Sequence, residues 1–189
     1  MAQTMHILDA RITNPRKGGP SFSFGNRLYR VIWNLAWALL ASWTPPFLHG
    51  WRRQILRLFG ATIHSTAVIY PSARIWYPPN LSMAEHSCLG RQVTCYSMAE
   101  INIGAYAIVS QGAHLCAGTH DIHDQNFQLR TKPIIIGPNA WIAAEAFVGP
   151  GVTVGEGAVL GARGVAFKNL APWTIYSGNP VRPIKKRRH

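Results

Sequence analysis

Residues 136–166 read IGPNAWIAAEAFVGPGVTVGEGAVLGARGVA, and the run counts in sixes. Ile136, Ile142, Val148, Val154, Leu160 and Ala166 each stand six residues after the last. Gly137, Ala143, Gly149, Gly155 and Gly161 follow the first five, and Ala140, Ala146, Val152, Ala158 and Gly164 stand four residues after each. A helix repeats its buried face near 3.6 residues and a strand near 2, so neither period accounts for the pattern. A chain that runs along one flat side in six residues and then turns a corner does account for it. Each side then points one aliphatic residue into a narrow core, seats a small residue beside it and uses glycine where the backbone bends. The expected fold is an all-β solenoid, a parallel β-helix built from six-residue units.

The count extends upstream with interruptions. Ile63, Ile69, Ile75 and Leu81 keep it, with Ala67 and Ala73 as small partners. The phase slips by two to Met83, Leu89 and Cys95, then slips again through Ser97–Ile101. Ile103, Val109 and Leu115 resume it, with Ala107, Ala113 and Thr119 expected at the small position. Between Leu115 and Ile136 lie 21 residues where three sixes would take 18, so the chain is expected to leave the coil near 119–133. This excursion holds the densest set of titratable groups in the chain, and such departures from a regular solenoid commonly carry function.

The chain has 189 residues, of which 48% are apolar and 14% charged, enough for one domain with a quasi-linear core. Its three cysteines, Cys88, Cys95 and Cys116, lack a CxxC spacing; they read as small buried hydrophobes in a reducing compartment, and no metal is expected. No secretory cleavage pattern is visible, which points to a cytoplasmic location. The formal charge is +12 and sits at the two ends: residues 1–60 carry eight Lys/Arg against one Asp, and residues 131–189 carry eight against two acids. The basic tail has no aromatic interleaving, so no nucleic-acid partner is expected.

Four segments are delimited: an extended arm (1–21), an amphipathic aromatic helical segment (22–60), the β-helix (61–176), and a C-terminal turn with a basic tail (177–189). In the helical segment Leu28, Val31, Ile32, Leu35 and Leu39 follow helical spacing, with Trp33, Trp37 and Trp43 added and Pro45-Pro46 ending the helix. A second helix carries Trp51, Ile55, Leu58 and Phe59 on one side and Arg52, Arg53 and Arg57 on the other. Two readings are open. The hairpin lies on the inner face of a membrane, with Trp at the interface and Arg near lipid phosphates. Alternatively it caps the open end of the solenoid.

From about Ile63 onward the sequence resembles the hexapeptide-repeat acyltransferases, and is most similar to the colanic acid biosynthesis O-acetyltransferases. Ser110-Gln111-Gly112-Ala113, Cys116-Ala117-Gly118-Thr119-His120-Asp121, Trp141-Ile142-Ala143-Ala144 and Gly178-Asn179-Pro180-Val181-Arg182 carry the likeness. The resemblance implies a left-handed β-helix, a homotrimer with sites between subunits, and acetyl-CoA as co-substrate. It also implies a sugar, nucleotide-sugar or lipid-linked oligosaccharide acceptor in exopolysaccharide biosynthesis.

Acetyl transfer from a thioester to a hydroxyl needs a base, a donor to the developing oxyanion and a slot for the carrier. His120 falls at the family's catalytic position; an ordinary imidazole titrates near pKa 6.5 and can take and return the proton. No catalytic role is expected for His6, His49, His64, His123 or His189, whereas Asp121 and Asp124, or a backbone carbonyl, are candidates to orient the ring. Carried over as carrier-binding positions are Trp141, Ala144, Ala162, Lys168, Arg182 and Lys185, the cations facing nucleotide phosphates. Ser97 and Asp121 are carried over toward the acceptor. Phe167 stands where relatives often have Thr, and Ser97 where they often have Asn. Two other classes share the fold: a γ-class carbonic anhydrase, with His86, His114 and His120 as conceivable zinc ligands, and a catalytically silent scaffold.

Overall fold

The six-residue rows set out three flat sheets that close into a triangular parallel solenoid in the computed structural model, which describes residues 7–188. The first sheet stacks Thr62–Ile63, Leu81–Met83, Ile101–Ile103, Ile134–Ile136 and Thr153–Val154. The second runs from Val68–Ile69 through Cys88–Leu89, Ile108–Val109, Trp141–Ile142 and Val159–Leu160 to Thr174–Gly178. The third stacks Arg74–Ile75, Thr94–Tyr96, His114–Cys116, Phe147–Val148 and Val165–Ala166. Every aliphatic position of the count, from Ile63 to Ala166, points inward and is buried, and so are the small partners Ala67, Ala73, Ala107, Ala113, Ala140, Ala146 and Ala158.

Register explains the two slips. Ile136 pairs with Val154, eighteen residues on, which is one undisturbed coil. Ile63 pairs with Met83 and Met83 with Ile103, each twenty residues on. The two extra residues are taken up at the corner between the third and first sheets, once by the Pro78–Asn80 turn and once by Ser97–Glu100. The next passage through that corner holds the long excursion. Thr119 is therefore not in the coil: it is exposed in a strand outside it, and Ala117, fully buried, is the last small residue before the chain departs.

A parallel solenoid has polarity. N–H groups of the first coil bond to carbonyls of the second, as in His64 N to Met83 O, Val68 N to Ser87 O and Arg74 N to Val93 O. The carbonyls of the first coil consequently face the open N-terminal end with no coil beneath them, and buried acceptors left unpaired cost about 1–3 kcal/mol each. Two helices, α1 being the short turn Ala10–Thr13, meet this need: α2 (Phe24–Leu40) and α3 (His49–Leu58). The Arg57 guanidinium donates to Ile63 O at 2.6 and 2.9 Å, and Arg53 to Ala67 O at 2.9 Å. Arg52 Nε donates to Ile69 O at 2.7 Å, and Trp33 Nε1 to Ile75 O at 2.6 Å. One donor thus answers the inward-facing residue of each of the three sides.

This corrects the membrane-facing assignment of those arginines. Arg52 is fully buried and also donates to Thr44 Oγ1, Pro45 O and Pro46 O; Arg53 and Arg57 are half-buried over the coil. Trp33 and Trp37 are likewise buried in the core, packed with Ile55 and Leu56, instead of lying at an interface. The opposite stripe of α2, Leu28, Val31, Leu35 and Leu39, is the exposed one. Both stripes are apolar, so the spacing announces a helix without saying which face turns inward.

Both chain ends also differ from expectation. Residues 7–22 are folded, with α1, a 3-10 turn at Pro15–Lys17 and a bridge from Ile7 to Phe22. At the other end Val181–Lys186 is a strand, antiparallel to Thr174–Gly178, so much of the basic tail extends the second sheet. His6 and His189 lie outside the described residues.

Arg52→Leu keeps apolar volume but removes the guanidinium bonds to Ile69 O, Thr44 Oγ1, Pro45 O and Pro46 O. Its unfolding free energy in chemical denaturation is expected to fall by about 3 kcal/mol. Arg52→Lys is expected to recover less than half, because one ammonium cannot span the same set of acceptors. A loss below about 0.5 kcal/mol for Arg52→Leu contradicts the capping role.

Candidate active site

The excursion at the third–first corner is an antiparallel hairpin, Gly118–His120 against Leu129–Thr131. Its exit passes close over Met98: a Cβ at Gly118 would stand 2.4 Å from Met98 Sδ, so a larger residue there would have to displace the Met98 side chain. His120 pairs with Leu129, and Leu129 is buried with Phe22 and Met98, which ties the hairpin base to the solenoid.

At the tip, Phe127 adopts a left-handed conformation (φ 56°). This turns its carbonyl toward His120 Nδ1 at 2.8 Å, while its ring stacks on the imidazole with centroids 4.3 Å apart and planes at 10°. A carbonyl only accepts, so Nδ1 carries the proton and the neutral ring keeps its lone pair on Nε2. The partner that orients His120 is therefore backbone. Asp121 instead accepts from His123 N and from Arg130, and Asp124 accepts from Asn126 N, an interaction that lowers its pKa.

The N-terminal arm closes over this loop. Gln128 Oε1 accepts from Ala10 N at 2.7 Å and its Nε2 donates to Leu8 O at 3.2 Å. Gln128 O accepts from Asp121 N, and the Arg16 guanidinium lies 5.3 Å from the Phe127 ring centroid. A cavity of about 780 Å³ opens between arm and hairpin, lined by residues that include Asp9, Arg11, Asp124 and Arg130. Residues 7–17, which sequence reasoning left as an arm without partners, thus hold the residues flanking His120; a Gln side chain on a backbone edge leaves no periodic mark.

The carrier-binding candidates fall on two different edges. Trp141 pairs with Val159, Val159 with Ile175 and Ile175 with Lys185, so Trp141 and Lys185 share one row of the second sheet. Trp141 is half exposed and donates from Nε1 to Ser110 Oγ at 2.9 Å. Ala144 and Ala162 stack at the second–third corner, where Arg163 N donates to Ala144 O at 2.9 Å. Arg182 pairs with Ser177 just beyond them. The neighbouring N–H groups of Ala144 are bonded, Ala143 to Leu160 O and Glu145 to Gln111 O, but its own N–H has no acceptor among the described residues. Lys168 stands apart, exposed at the third–first corner, the one from which the His120 hairpin leaves. One chain therefore places His120 and Lys168 at one corner and the other five residues on the second sheet and its far corner.

Ser97 does not face an acceptor. It is fully buried, with Oγ accepting from Tyr77 N at 3.0 Å and donating to Tyr77 O at 2.9 Å. Phe167 is 65% exposed, and its ring packs against Phe147. His86, on Tyr106, and His114, between Tyr96 and Phe147, are each engaged by separate aromatic neighbours, and among the described residues no three metal-ligating side chains converge. All three cysteines are free, and burial pushes the Cys95 thiol up to about 12.

No family model matches the chain. A protein of Escherichia coli strain K12 named colanic acid biosynthesis acetyltransferase WcaF is 41% identical over 166 residues, which span 88% of this chain and 91% of that one. The chain belongs to the hexapeptide-repeat acetyltransferases. Solved structures repeat the fold. A maltose O-acetyltransferase from Clostridium difficile 630 superposes with a TM-score of 0.77 at 24% identity, covering 88% of this chain and 90% of that one. A hexapeptide-repeat acetyltransferase of Vibrio cholerae, complexed with acetyl coenzyme A, superposes at 0.75 with 21% identity, covering 88% and 91%. Within this acetyltransferase fold the hairpin and the arm above it are the least regular parts.

Gln128→Ala removes two hydrogen bonds that hold the arm, each worth about 0.5–1.5 kcal/mol net. Limited proteolysis within residues 7–22 is expected to speed up by about tenfold while the thermal midpoint of the solenoid barely moves. Unchanged proteolysis rules out Gln128 as the tether.

Proposed function

We propose that this acetyltransferase moves the acetyl group of acetyl-coenzyme A to a sugar hydroxyl in polysaccharide biosynthesis, with His120 as the general base. The observation that carries the reading is the bond from His120 Nδ1–H to Phe127 O, which leaves Nε2 as an oriented proton acceptor. Nε2 takes the proton of the acceptor hydroxyl as its oxygen attacks the thioester carbonyl. The Ala144 N–H is suited to receive the charge that develops on the carbonyl oxygen. As the carbon–sulfur bond breaks, the imidazolium returns its proton to the leaving thiolate, and the base is restored for the next turnover. Lys168, Arg182 and Lys185 are all exposed cations, the chemistry a nucleotide's phosphates require.

The same reading implies a site shared between protomers of a homotrimer. The separation of His120 and Lys168 from Trp141, Ala144, Ala162, Arg182 and Lys185 supports this. A neighbour's second sheet laid against the hairpin corner would bring the two groups together. The third sheet's outer face supports it too: Trp76, Tyr96, His114, Phe147 and Phe167 form a ladder of neighbouring rings, and His114 Nε2 is buried without a partner among the described residues. The kinship with a colanic acid biosynthesis acetyltransferase and the shared fold of a maltose O-acetyltransferase favour a sugar acceptor.

His120→Ala is expected to lower kcat by about 10²–10⁴-fold, with acetyl-coenzyme A affinity by calorimetry nearly unchanged. Activity within about threefold of the unmodified enzyme removes the imidazole from the chemistry. The shared site has its own test. Ala144→Trp is expected to block the carrier slot and abolish activity alone, as His120→Ala does. Subunits of the two variants, dissociated and reassembled together, are expected to regain activity, because some interfaces then join an intact His120 to an intact Ala144. Mixed assemblies as inactive as either parent contradict a site divided in this way.

A further inference from the structure

The face of α2 turned away from the solenoid has no counterpart within the chain. Its inner stripe, Tyr29, Trp33 and Trp37, is spent on the core. Its outer stripe repeats at helical spacing with Phe24, Leu28, Val31, Leu35 and Leu39, which are 77, 48, 54, 57 and 69% exposed. The α2–α3 turn continues the patch with Trp43, Phe47 and Trp51, all exposed. Scattered apolar side chains on a surface need no explanation, but a contiguous ridge of this length does.

Two further observations say what fits it. The first concerns polar groups. The closing carbonyls of α2, which ordinarily need water, are answered by side chains: Ser42 Oγ donates to Ala38 O at 3.0 Å, Trp43 Nε1 to Leu39 O at 2.7 Å and Trp51 Nε1 to Leu40 O at 2.7 Å. The exposed indoles thus offer apolar rings with their N–H groups already satisfied, so this end can leave water without unpaired donors or acceptors.

The second is charge. Between Asp9 and Glu85 the chain has no acidic residue and nine basic ones. Three of the nine cap the solenoid, yet their charge meets no acid, and Arg27, on α2 itself, is exposed. Two copies of this end facing one another would set cation against cation, which disfavours a self-contact. Elsewhere the acidic groups Asp121 and Glu145 are engaged by Arg130 and Arg163. No described helix is long and apolar enough to cross a membrane, so the ridge is suited to lie along a surface and not through it.

We infer that the outer stripe of α2 with Trp43, Phe47 and Trp51 seats on an anionic lipid surface, the apolar ridge entering the headgroup boundary and the surrounding cations facing lipid phosphates. This docking does not depend on the acetyl-transfer chemistry and uses none of its residues. It differs from the lipid contact expected from sequence in its residues: α2's Leu/Val/Phe stripe replaces Trp33, Trp37 and the α3 arginines.

The test is co-sedimentation with vesicles of phosphatidylethanolamine and phosphatidylglycerol, beside vesicles of phosphatidylcholine alone. The intact protein is expected to sediment with the anionic vesicles and to be released by salt. Leu28→Ser with Leu35→Ser and Leu39→Ser is expected to weaken that binding by about tenfold or more, at unchanged thermal midpoint and unchanged oligomer mass. Leu35→Glu, a single exposed change, gives the same reading should the triple variant fold poorly. No binding by the intact protein, equal binding to phosphatidylcholine, or full binding by the folded Leu35→Glu protein each overturns the inference. A fall in oligomer mass for either variant also overturns it, because the ridge then seats on a second copy.

Discussion

Every coil of a parallel solenoid draws its hydrogen bonds from the coil above and the coil below, so the first coil is left with carbonyls that point at nothing. That polarity governs the N-terminal third of this molecule. The open end presents acceptors only, and its cover must consist of donors. Arg57, Arg53, Arg52 and Trp33 supply them on all three sides. A carboxylate here would add acceptors to acceptors, which fits the absence of acids from the whole of residues 10–84. Burial holds the Arg52 guanidinium pKa below its usual value, yet five carbonyl, hydroxyl and imidazole contacts satisfy its donors without a counter-ion.

Because the solenoid is so regular, its irregularity is confined. The extra residues of the first three coils enter at one corner, the passage from third to first sheet, and the third of them is the hairpin that carries His120. The sheets on either side keep their register across it: Ile101–Ile103 pairs with Ile134–Ile136 as if the intervening hairpin were absent. The rigid stack thereby fixes both feet of a loop whose tip is free to take a shape of its own. The arm then fixes the tip from the opposite side through Gln128.

What could be read from the sequence follows the same division. The row from Ile136 to Ala166 was legible because each side of the coil poses the same demand, one aliphatic and one small residue, so the pattern repeats without tertiary information. The excursion that carries His120 was legible as a break in that pattern. Thr119 was misjudged because the chain had already left the coil at Ala117, and the hairpin that begins at Gly118 follows no six-residue spacing. The role of Arg52, Arg53 and Arg57 was not legible, since their partners are backbone carbonyls, which every residue possesses. A backbone carbonyl was one of the partners foreseen for His120, but that it is Phe127 O was hidden for the same reason, and Ser97 looked available only because its partners, Tyr77 N and O, are backbone too.

The directionality of the stack has a consequence for assembly. One end of the bare solenoid is a row of carbonyls and the other a row of N–H groups, so two uncovered copies are complementary head to tail, and nothing in that contact would close on itself. Repeated, it gives a fibre. The arginine cover blocks that contact at one end, and the antiparallel strand Val181–Lys186 covers the closing edge of the second sheet at the other. A molecule built on an endlessly extendable plan is kept finite by the non-repeating segments at its two ends.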